Sequence, residues 1–549
     1  MKNFLFVVPR YVPTGNEYVF PVGMGYVISY MKLKGFNVYC LNLCHSPEPI
    51  ENLLANAIRK NSIDIICTGA MSYYWNEVED VLVVSRKIKR DIITVVGGAI
   101  ITSDPELALA NLPIDFGIMG EGEETMTELA AALCDSGDPN NIDGIVYYDE
   151  NKRLIRTGPR EAIDDLDKLP FPDYEALEFD KLLSIKWITH PSIGGLYFDI
   201  FEDQFYCEIV TSRSCPFNCT FCYHPLGNKY RQRSLDNVFR EIDYLTGRYN
   251  IKIFNLLDEL FSTDEKRIIE FAERIKGYNV KWMAQWMANT VNEGMLKVLK
   301  KSGLFNLGIG MESMSDIILR SMNKCVSRAQ IEQAYNLSLA IGVRTGGNII
   351  IGDPEETEET ISESLEWWKN HPEHEIGLGC LLAVPDSKVW RYALKNNLIK
   401  DKLKFIREKF PVINLTKLSD KKFNSVKRKL YYYILTQKYL MHGTVLSSKR
   451  KEELYNNKHI YTFAVRCGAC GSVSEYTYFK YSPWLYSPVL CKTCLKKIKI
   501  KTKKAFPQDY NAVYGFLFQY AAILYALYLK PYKIFRKIVR VTVRMLKLI

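Results

Sequence analysis

Residues 212–225 read SRSCPFNCTFCYHP and place three cysteines, Cys215, Cys219 and Cys222, in a C-x-x-x-C-x-x-C pattern. Structural zinc normally takes four protein ligands, and a complete iron–sulfur cluster takes four cysteines. No fourth cysteine continues this pattern. Three thiolates leave one metal position open to another molecule, so the stretch predicts a reactive metal centre and not a structural one.

Around this motif, residues 206–390 alternate strand-like apolar runs with helical patterns. The runs are CEIVTS, IKIFNLL, VKWMAQWM, FNLGIGME, TGGNIII and IGLGCLLAVP. Six strand–helix units predict a partial or complete β/α barrel, whose active site lies at the carboxyl ends of the strands. The cysteine motif directly follows the first of these strands, where a barrel places its chemistry.

Residues 1–140 also alternate strands and helices. Five apolar runs, NFLFVVP, FNVYCLNL, DIICTGA, ITVVGGAI and DFGIMG, predict a parallel sheet buried on both faces, and hence a doubly wound, Rossmann-like α/β domain. Ligands of such a sheet bind at the carboxyl ends of the strands, where glycines let the backbone approach a bulky ligand. We therefore expect ligand contacts from Thr68, Ser72, Gly97, Gly98, Gly120 and Glu121.

The rest of the chain divides by composition into four further segments. Residues 141–205 are rich in Pro and Asp, which predicts a linker that wraps between the two domains. Residues 391–460 have a helical and basic pattern, residues 461–500 contain four cysteines, and residues 501–549 form a basic tail with an apolar stretch. At 549 residues the chain is long enough for about two to four domains, each with its own core.

The cysteine motif resembles the signature of the radical S-adenosylmethionine (SAM) enzymes, including an aromatic residue before the last cysteine, here Phe221. The resemblance implies that Cys215, Cys219 and Cys222 hold three irons of a 4Fe-4S cluster. It also implies that SAM chelates the fourth iron, that an electron from the cluster cleaves SAM to a 5′-deoxyadenosyl radical, and that Phe221 packs near the adenine. The alternative is an incomplete zinc site or three coincidental core thiols.

Two further stretches resemble SAM-contacting motifs of this family. The run LLDELF offers Asp258 and Glu259 to the SAM ammonium, and we favour Glu259 slightly, since a carboxylate pairs well with an ammonium in a dry site. The run GIGMESMSD resembles the ribose-contacting motif, at Glu312 and Ser313. Without the cysteines, Glu312 would also be read as an acid that caps the following helix.

A third stretch, GNIIIGDPEET, resembles the adenine-contacting motif of the family at Ile350, Gly352 and Pro354. Asn348 stands where the family has its first glycine. Because the other positions match, this departure weakens the local assignment and leaves the family resemblance intact. The sequence does not identify a catalytic residue.

A doubly wound domain ahead of such a barrel is similar to the cobalamin-binding class of radical SAM enzymes, as are the glycine-rich runs and the LDKLPFPDYE linker. Many cobalamin domains supply a histidine in a D-x-H-x-x-G motif, but the loop VVPRYVPTGNEYVFPVGMG contains no histidine. If cobalamin binds, Tyr11, Val12 or a neighbour fills that space. The glycines alone would equally fit another nucleotide or a degenerate domain without a cofactor.

Two C-x-x-C pairs, Cys467 with Cys470 and Cys491 with Cys494, are separated by twenty residues. Four thiolates on two facing turns suit tetrahedral zinc in a zinc-ribbon-like module, and a second iron–sulfur cluster is the alternative. The intervening stretch has one Lys and no Arg, whereas phosphate contacts need several cations. We therefore expect no nucleic acid partner for this module.

The net charge of +10 comes from the end of the chain, because residues 495–549 carry thirteen Lys and Arg and one Asp. Within this tail, residues 511–529 are uncharged over a length sufficient to cross a bilayer, with basic clusters on both sides. Charge on both sides fits a helix lying on an anionic membrane surface better than a spanning helix. Packing of the tail against the body is the third interpretation.

The first residues, MKNFLFVVPR, turn polar too early for a signal peptide. We therefore expect a cytoplasmic protein whose fourteen cysteines are reduced. If the tail binds lipid, the protein lies at the inner surface of the membrane.

Together these patterns predict cobalamin-dependent radical SAM methylation of an unactivated carbon. The first alternative is oxidative cyclisation or ring rearrangement without methyl transfer, and the second is a noncatalytic cobalamin- or redox-responsive binding protein. The expected substrate is a small molecule or a lipid-type molecule, whose identity does not follow from the sequence. An electron donor such as flavodoxin or ferredoxin is the expected partner.

Overall fold

The structure is a computed structural model of the 549-residue chain. It describes residues 2–14, 18–185, 205–261, 264–374, 376–436, 440–455, 458–479, 485–494 and 496–509. The apolar tail stretch on which the membrane prediction depends lies outside the described residues. Within the described ranges, no helix combines the length and the apolar character needed to cross a membrane.

The N-terminal part of the chain contains seven strands: β1 Asn3–Val8, β2 Asn37–Asn42, β3 Ile65–Gly69, β4 Ile93–Gly97, β5 Phe116–Ile118, β6 Ile145–Tyr148 and β7 Leu154–Arg156. They form one sheet in the order β2-β1-β3-β4-β5-β6-β7. Strands β1 to β5 pair in parallel, and β6 and β7 continue the sheet in antiparallel fashion. The first five strands match the five predicted runs.

Helices cover both faces of this sheet: α1 Val22–Leu33, α2 Ile50–Lys60, α3 Trp75–Ile88, α4 Ala99–Thr102, α5 Pro105–Asn111 and α6 Glu123–Asp135. Helix α1 packs with α6, and α2 packs with α3. Side chains of β1 alternate accordingly, since Phe4 and Phe6 join the core around α1 and α6 whereas Leu5 and Val7 join the core around α2 and α3. Burial of both faces gives the doubly wound domain that the sequence predicts.

The segment predicted as a linker, residues 141–205, differs from that prediction at its start, because β6 and β7 extend the N-terminal sheet. These strands have four and three residues and follow the regular alternation of strands and helices instead of belonging to it. A short helix follows, α7 Phe179–Ser184. Here Tyr174 stacks on Phe20 with ring centroids 5.2 Å apart, and Phe179 meets Tyr249 of the barrel at 5.1 Å. This part of the segment therefore packs between the two domains.

The barrel part contains nine strands: β8 Phe205–Ile209, β9 Ser212–Arg213, β10 Arg231–Gln232, β11 Ile251–Leu256, β12 Lys281–Trp286, β13 Leu304–Ile309, β14 Arg344–Gly346, β15 Asn348–Ile351 and β16 Gly377–Cys380. Strands β8, β11, β12, β13 and β14 form a parallel sheet. Strands β15 and β16 form a second parallel pair, joined to the first sheet by a bridge between Glu312 and Ile349. The result is a partial barrel.

Helices separate the barrel strands in sequence: α8 Leu235–Tyr249, α9 Glu265–Ile275, α10 Glu293–Lys301, α11 Asp316–Ser321, α12 Arg328–Ile341 and α13 Glu358–Asn370. Among them, α11 is an additional helix of six residues between β13 and α12. Ser327 caps α12 with a reciprocal bond to Gln330, which explains why this helix begins at Arg328.

The run TGGNIII was predicted as one strand, and this prediction is wrong, because the structure breaks it at Gly347 into β14 and β15. The Tyr335 hydroxyl lies at the break and donates to the carbonyl oxygens of Ile309 and Gly346, at 3.0 and 3.2 Å. A Cβ on Gly347 would stand 2.0 Å from that hydroxyl, so only glycine fits there. A buried tyrosine therefore replaces part of the strand pairing.

The last described part of the chain holds four helices and six strands: α14 Lys388–Lys395, α15 Lys402–Arg407, α16 Asp420–Thr436, β17 Met441–His442, β18 Thr444–Tyr455, β19 Lys458–Arg466, β20 Val473–Phe479, β21 Tyr486–Leu490, β22 Lys497–Lys501 and α17 Thr502–Ala505. The strands form two three-stranded sheets, β17-β22-β21 and β18-β19-β20. The helical prediction for residues 391–460 is therefore wrong from residue 441 onward. Pairing of β18 with β19 determines the structure there, and the charged run of β18 carries no apolar period that reveals it.

Helices α14 and α15 return to the N-terminal domain. Trp390 and Phe405 belong to the same hydrophobic cluster as Trp75 of α3. Lys402 donates to Asp104 at 2.8 Å, and Arg407 donates to Glu79 at 2.6 Å. The N-terminal domain is thus held both by the segment before the barrel and by the helices after it.

Candidate active site

The three motif cysteines lie on a loop over residues 214–230, at the carboxyl end of β8. Antiparallel pairing of β9 with β10 closes the base of this loop. Cys222 is exposed, and Cys215 and Cys219 are partly buried, so none of these thiols is sealed in a core. The hydrogen bond from the Cys222 thiol lowers the pKa of Cys219 to about 7. Burial raises the pKa of Cys215, and the hydrogen bond with Cys219 raises the pKa of Cys222. Three accessible thiols on one loop fit the ligand set of an iron cluster.

A turn after α11 supports the cysteine loop. Asn323 Nδ2 donates to the carbonyl oxygen of Asn218 at 2.9 Å, and Thr220 N donates to Met322 O at 3.0 Å. Lys324, which follows in this turn, is a positive charge close to the thiols and contributes to the low pKa of Cys219. Sequence reasoning missed Asn323 and Lys324, because no motif surrounds them and only the fold brings them here.

Asp258 follows β11 and is buried. Its carboxylate accepts hydrogen bonds from Thr211 N at 2.7 Å, Thr211 Oγ1 at 2.5 Å and Ser212 N at 3.0 Å. Burial raises its pKa to about 6 in spite of these donors. Asp258 therefore fixes the turn between β8 and β9, and its oxygens are already engaged.

Glu259 has a different environment, since 36% of its side chain is exposed. His224 Nδ1 lies 2.8 Å from its carboxylate, and this hydrogen bond raises the pKa of His224. Among the described residues, His224 Nε2 is buried without a hydrogen-bond partner. Sequence reasoning missed His224, although it stands two residues after Cys222. Of the two predicted ammonium contacts, the structure leaves Glu259 within reach of a ligand.

Glu312 lies just after β13 with φ of 63°, a left-handed conformation that is costly for a non-glycine residue. Burial raises the pKa of its carboxyl, and Lys324 Nζ lies 3.4 Å from Oε1. The alternative that Glu312 caps the next helix is wrong, because α11 begins at Asp316 and Ser315 occupies the cap position. Its strained backbone and buried charge are typical of a functional residue.

Ser313, the second predicted ribose contact, is fully buried. Its hydroxyl lies 3.1 Å from Ser364 Oγ and accepts a hydrogen bond from Ser315 N at 3.2 Å. These contacts are internal to the protein. The ribose contact stays a prediction for both residues. Of the two, Glu312 has the left-handed backbone and the nearby charge of Lys324.

The predicted adenine contacts gather near one hydrophobic cluster. Phe221 and Ile350 are both partly buried against the cluster that contains Leu381. Gly352 has φ of 136° and donates its N–H to Glu356 Oε2 at 2.6 Å, and Pro354 is half-buried in the turn that follows. The structure thus brings Phe221 and Ile350 to the same cluster from distant parts of the sequence.

A cavity of about 540 Å³ lies between the N-terminal sheet and the cysteine-bearing end of the barrel. Its wall includes Ser214, Leu257 and Glu259 from the barrel. From the N-terminal domain it includes five of the six predicted ligand contacts, namely Thr68, Gly97, Gly98, Gly120 and Glu121. Ser72, the sixth, lies outside this wall, and its hydroxyl contacts Ala99 O at 3.3 Å and Ser103 Oγ at 3.0 Å.

Two glycines with positive φ lie in the cavity wall. Gly98 has φ of 81°, and a Cβ there would stand 3.0 Å from Ala70 O, so glycine lets this loop pack closely on its neighbour. Gly120 has φ of 73°, and a Cβ there would meet no protein atom within 4 Å and would project into open space. Glycine at position 120 therefore keeps the backbone accessible to a ligand. The residues present therefore fit a large cofactor such as cobalamin.

Among the described residues, no histidine lines this cavity. Tyr11 does, and its hydroxyl donates to Gly69 O at 3.2 Å, while Val12 is not part of the wall. Burial raises the pKa of Tyr11, so the phenol stays neutral. His45 is engaged elsewhere, 2.7 Å from the Tyr18 hydroxyl and 2.9 Å from Glu178.

An ionic cluster joins the cavity loop to the base of the cysteine loop. Arg213 donates to Glu121 at 2.7 Å and to Glu123 at 2.6 Å, and Arg231 donates to Glu121 at 2.7 Å. Burial alone would raise the pKa of Glu121, but the two arginines lower it overall. Arg213 and Arg231 are paired across β9 and β10, so Glu121 connects both strands to the N-terminal domain. We call these four residues the Glu121 clamp.

The four C-terminal cysteines come together in space. Their sulfur atoms all lie within 4.8 Å of one another, with Cys467 and Cys491 buried, Cys494 partly buried and Cys470 exposed. The first pair follows β19 and the second follows β21. This arrangement is compatible with a zinc ion. Within the described ranges, it is the single group of three or more His, Cys, Asp or Glu side chains close enough to share one metal ion.

Comparison with protein families gives two matches on this chain. The radical SAM superfamily matches residues 209–367, and the B12 binding domain matches residues 12–130. The first range contains the cysteine loop and strands β11 to β15, and the second contains the glycine loops of the cavity.

Two relatives illustrate the similarity. The uncharacterized methyltransferase PH0819 of Pyrococcus horikoshii is 30% identical over 387 residues, which cover 69% of this chain and 80% of that protein. The anaerobic magnesium-protoporphyrin IX monomethyl ester cyclase of Rubrivivax gelatinosus is 27% identical over 375 residues, which cover 66% of this chain and 64% of that protein. This chain therefore spans less than two thirds of the cyclase.

Solved structures show the same fold. The radical S-adenosylmethionine methyltransferase TsrM from Kitasatospora setae, with cobalamin and a 4Fe-4S cluster bound, has a TM-score of 0.56 and 16% identity, over 72% of this chain and 76% of that chain. The cobalamin-dependent S-adenosylmethionine radical enzyme OxsB has a TM-score of 0.56 and 17% identity, over 78% of this chain and 61% of that chain. At this level of identity, the likeness concerns the fold.

Proposed function

Because this chain belongs to the radical SAM superfamily and carries a B12-binding domain ahead of its radical SAM domain, we propose that it is a cobalamin-dependent methyltransferase. Its proposed substrate is a small molecule with an unactivated carbon. Its proposed cofactors are a 4Fe-4S cluster, SAM and cobalamin.

One observation supports this proposal most strongly, namely the cavity shared by the two domains. Its wall combines the glycine loops at the carboxyl ends of β3 and β4 with Glu259 beside the cysteine loop. Ligands of doubly wound domains and of β/α barrels both bind at the carboxyl ends of strands. A cofactor on the glycine loops and a second cofactor at the cysteine loop would therefore meet at the same cavity.

The chain's own residues hold and orient the cofactors. Cys215, Cys219 and Cys222 would ligate the cluster, and Glu259 would accept a hydrogen bond from the SAM ammonium. When bound, these cofactors supply the carbon radical and the transferable methyl group. The cavity wall is mainly apolar, which excludes water from a radical that would otherwise react with solvent components.

Lys324 and Glu312 would complete the SAM side of the site. Lys324 Nζ lies 3.4 Å from Glu312 and its charge acts on the Cys219 thiolate. A cation between a carboxylate and thiolates offsets negative charge where a negatively charged cluster is expected. These two residues are proposed as positioning residues.

The partners we propose are those of radical SAM chemistry in general. The cluster needs a one-electron donor, and flavodoxin or ferredoxin is the proposed type. The basic tail over residues 501–549 is proposed to lie on the inner membrane surface, which would favour a lipid-type substrate. Deletion of residues 511–549 should release the protein from the membrane fraction, and unchanged partition would remove the membrane proposal.

A first experiment tests the reaction without knowledge of the substrate. Protein reconstituted anaerobically is given SAM, dithionite and reduced cobalamin, and two products are measured. Cleavage at the cluster should yield 5′-deoxyadenosine, and methyl transfer to cobalamin should yield S-adenosylhomocysteine. Replacement of Cys215, Cys219 and Cys222 by Ala should abolish the first product only. Absence of S-adenosylhomocysteine from the wild-type protein would contradict methyl transfer.

Cyclisation is the second candidate, favoured by the similarity to the Rubrivivax gelatinosus cyclase. Methyl-labelled SAM and a small-molecule extract of the source cells distinguish the two reactions. Methylation should place the label in a product of the extract, whereas cyclisation should yield 5′-deoxyadenosine without label transfer. The labelled product would also identify the substrate.

A further inference from the structure

The sulfur atoms of the four-cysteine module have the spacing of a single tetrahedral ion. Cys467 Sγ lies 3.8 Å from Cys494 Sγ, and Cys470 Sγ lies 3.7 Å from Cys491 Sγ. In a tetrahedron with zinc–sulfur bonds of about 2.3 Å, neighbouring sulfur atoms are about 3.8 Å apart. Thiolates of a 4Fe-4S cluster bind four separate irons and point outward, so they lie much farther apart. The spacing therefore favours one ion over a second cluster.

The backbone around both turns is arranged to hold thiolates. In each turn the first cysteine's N–H donates to the carbonyl oxygen five residues later, at 2.8 Å and 2.9 Å. Ala469 N donates to Cys467 Sγ at 3.3 Å, and Cys494 N donates to Cys491 Sγ at 3.5 Å. Such bonds orient the sulfur atoms and stabilise their negative charge. The site is thus closed by four protein ligands, as in structural zinc sites.

The module also contacts the barrel through Leu490, which directly precedes Cys491. Leu490 is fully buried and forms a hydrophobic cluster with four barrel side chains. Each of these comes from a different strand of the parallel sheet, namely Tyr206 from β8, Ile253 from β11, Met283 from β12 and Phe305 from β13.

This contact lies on the inner face of the sheet, at the end opposite the active site. Phe254 and Trp282 belong to the large core that includes the barrel helices. Because side chains alternate along a strand, their neighbours Ile253 and Met283 point to the other face. Both lie in the amino-terminal halves of their strands, whereas Glu259 and the cysteine loop follow the carboxyl ends.

A hydrogen bond within the module fixes Leu490 in this place. The Tyr476 hydroxyl donates to Leu490 O at 2.9 Å, which holds the leucine from the module side.

We propose that residues 441–509 bind one zinc ion through Cys467, Cys470, Cys491 and Cys494, and that the zinc-bound module closes the amino-terminal end of the partial barrel with Leu490. A complete β/α barrel fills its interior with its own side chains, whereas this sheet stops short of closure. The module covers the apolar side chains left at that end. This inference does not depend on the proposed methyl transfer.

Metal analysis of the full-length protein tests the zinc site. Purified anaerobically, the protein should contain about one zinc per chain beside the cluster iron. Cys470→Ser, a change at an exposed ligand, should remove most of the zinc and leave the iron unchanged. Cys325→Ser, at an exposed cysteine outside both sites, is the matched control and should change neither metal. Loss of iron instead of zinc from Cys470→Ser, or iron found in this site, would overturn the proposal.

Hydrogen exchange of the full-length protein tests the closure. Leu490→Ala should retain zinc and raise exchange in peptides containing β11 and β12 by about tenfold or more, because it removes packing at that end. Val473→Ala is the matched control, since Val473 lies on β20 of the same module and is 53% exposed. Removal of zinc from the wild-type protein with a chelator should raise the same exchange while the iron content stays constant. Unchanged exchange in both arms would overturn the closure, whatever the enzyme's activity.

Discussion

Two adjacent carboxylates after β11, Asp258 and Glu259, show how strongly the surroundings of a residue decide its function. Asp258 is buried among backbone donors, and Glu259 faces the cavity. The run LLDELF gives both residues to the same motif, and a sequence cannot tell which carboxylate is already engaged. Thr211 and Ser212 are brought close to Asp258 only by the fold. Their hydrogen bonds show that Asp258 is the engaged carboxylate.

Asp258→Asn should flatten the pH dependence of stability. Burial raises the pKa of Asp258 from 3.8 to about 6, so the folded state binds its proton more tightly than the unfolded state does. The contribution is therefore fully present below pH 3.8 and is lost as the pH rises through about 6, by roughly 3 kcal/mol in the free energy of unfolding. Asn does not titrate, its amide oxygen still accepts from the two backbone N–H groups, and its amide nitrogen can donate to the Thr211 hydroxyl. Urea unfolding at pH 4 and pH 7 measures the difference, and equal pH slopes in both proteins would contradict the assignment.

Glu259→Gln should weaken SAM binding by about tenfold or more, because the variant loses a charge-assisted hydrogen bond while its fold is unchanged. Titration calorimetry with cluster-loaded protein measures the dissociation constant. Glu293→Gln, at a half-exposed surface site on α10, serves as the control. An unchanged dissociation constant in Glu259→Gln would exclude this residue as the ammonium contact.

At the scale of elements, the loop between β5 and α6 is connected to the cysteine loop through the Glu121 clamp. Arg213 and Glu121 are more than nine-tenths buried, and removal of one partner leaves an unpaired charge in the interior. The sequence predicted Glu121 as a ligand contact, and the structure shows both of its carboxylate oxygens bound by arginines although it also lines the cavity. That contact with cobalamin stays a prediction.

Glu121→Gln should lower the free energy of unfolding by about 3 kcal/mol. It should also affect the two reactions of SAM, formation of 5′-deoxyadenosine and methyl transfer, to different extents. Formation of 5′-deoxyadenosine needs only the barrel, so its rate should persist. Methyl transfer needs the correct placement of both domains relative to each other, so its rate should fall. Glu128→Gln is the matched control, because Glu128 lies on α6, is exposed and also pairs with an arginine, Arg160. If stability and the ratio of the two products change equally in both variants, the clamp does not position the domains.

The elements themselves followed from sequence wherever a period was long enough to read. The five parallel strands of the first domain were all located from their apolar runs. Three pieces that stand outside the regular alternation of strands and helices were missed, namely α11, β6 and β7. Gly347 shows a second cause, because the break there depends on the Tyr335 hydroxyl reaching in from α12.

At the scale of the whole molecule, the sequence predicts the parts of the site and not their arrangement. The cysteine motif and the glycine loops are local patterns, and both were found from sequence alone. The cavity between them, the support of the cysteine loop by Asn323 and the contact of Leu490 with the barrel are all formed by residues far apart in the chain. Such contacts leave no mark in a single sequence.

The central claim is that one cavity serves a corrinoid on one wall and a radical SAM centre on the other. The most direct measurement counts iron and cobalt per chain after anaerobic reconstitution with iron, sulfide and cobalamin, and then assays 5′-deoxyadenosine. We expect about four irons and one cobalt per chain, with reductive cleavage of SAM that disappears when Cys215, Cys219 and Cys222 are all replaced by Ala. Full iron loading without any bound cobalt, or SAM cleavage that survives loss of the three cysteines, would contradict the account.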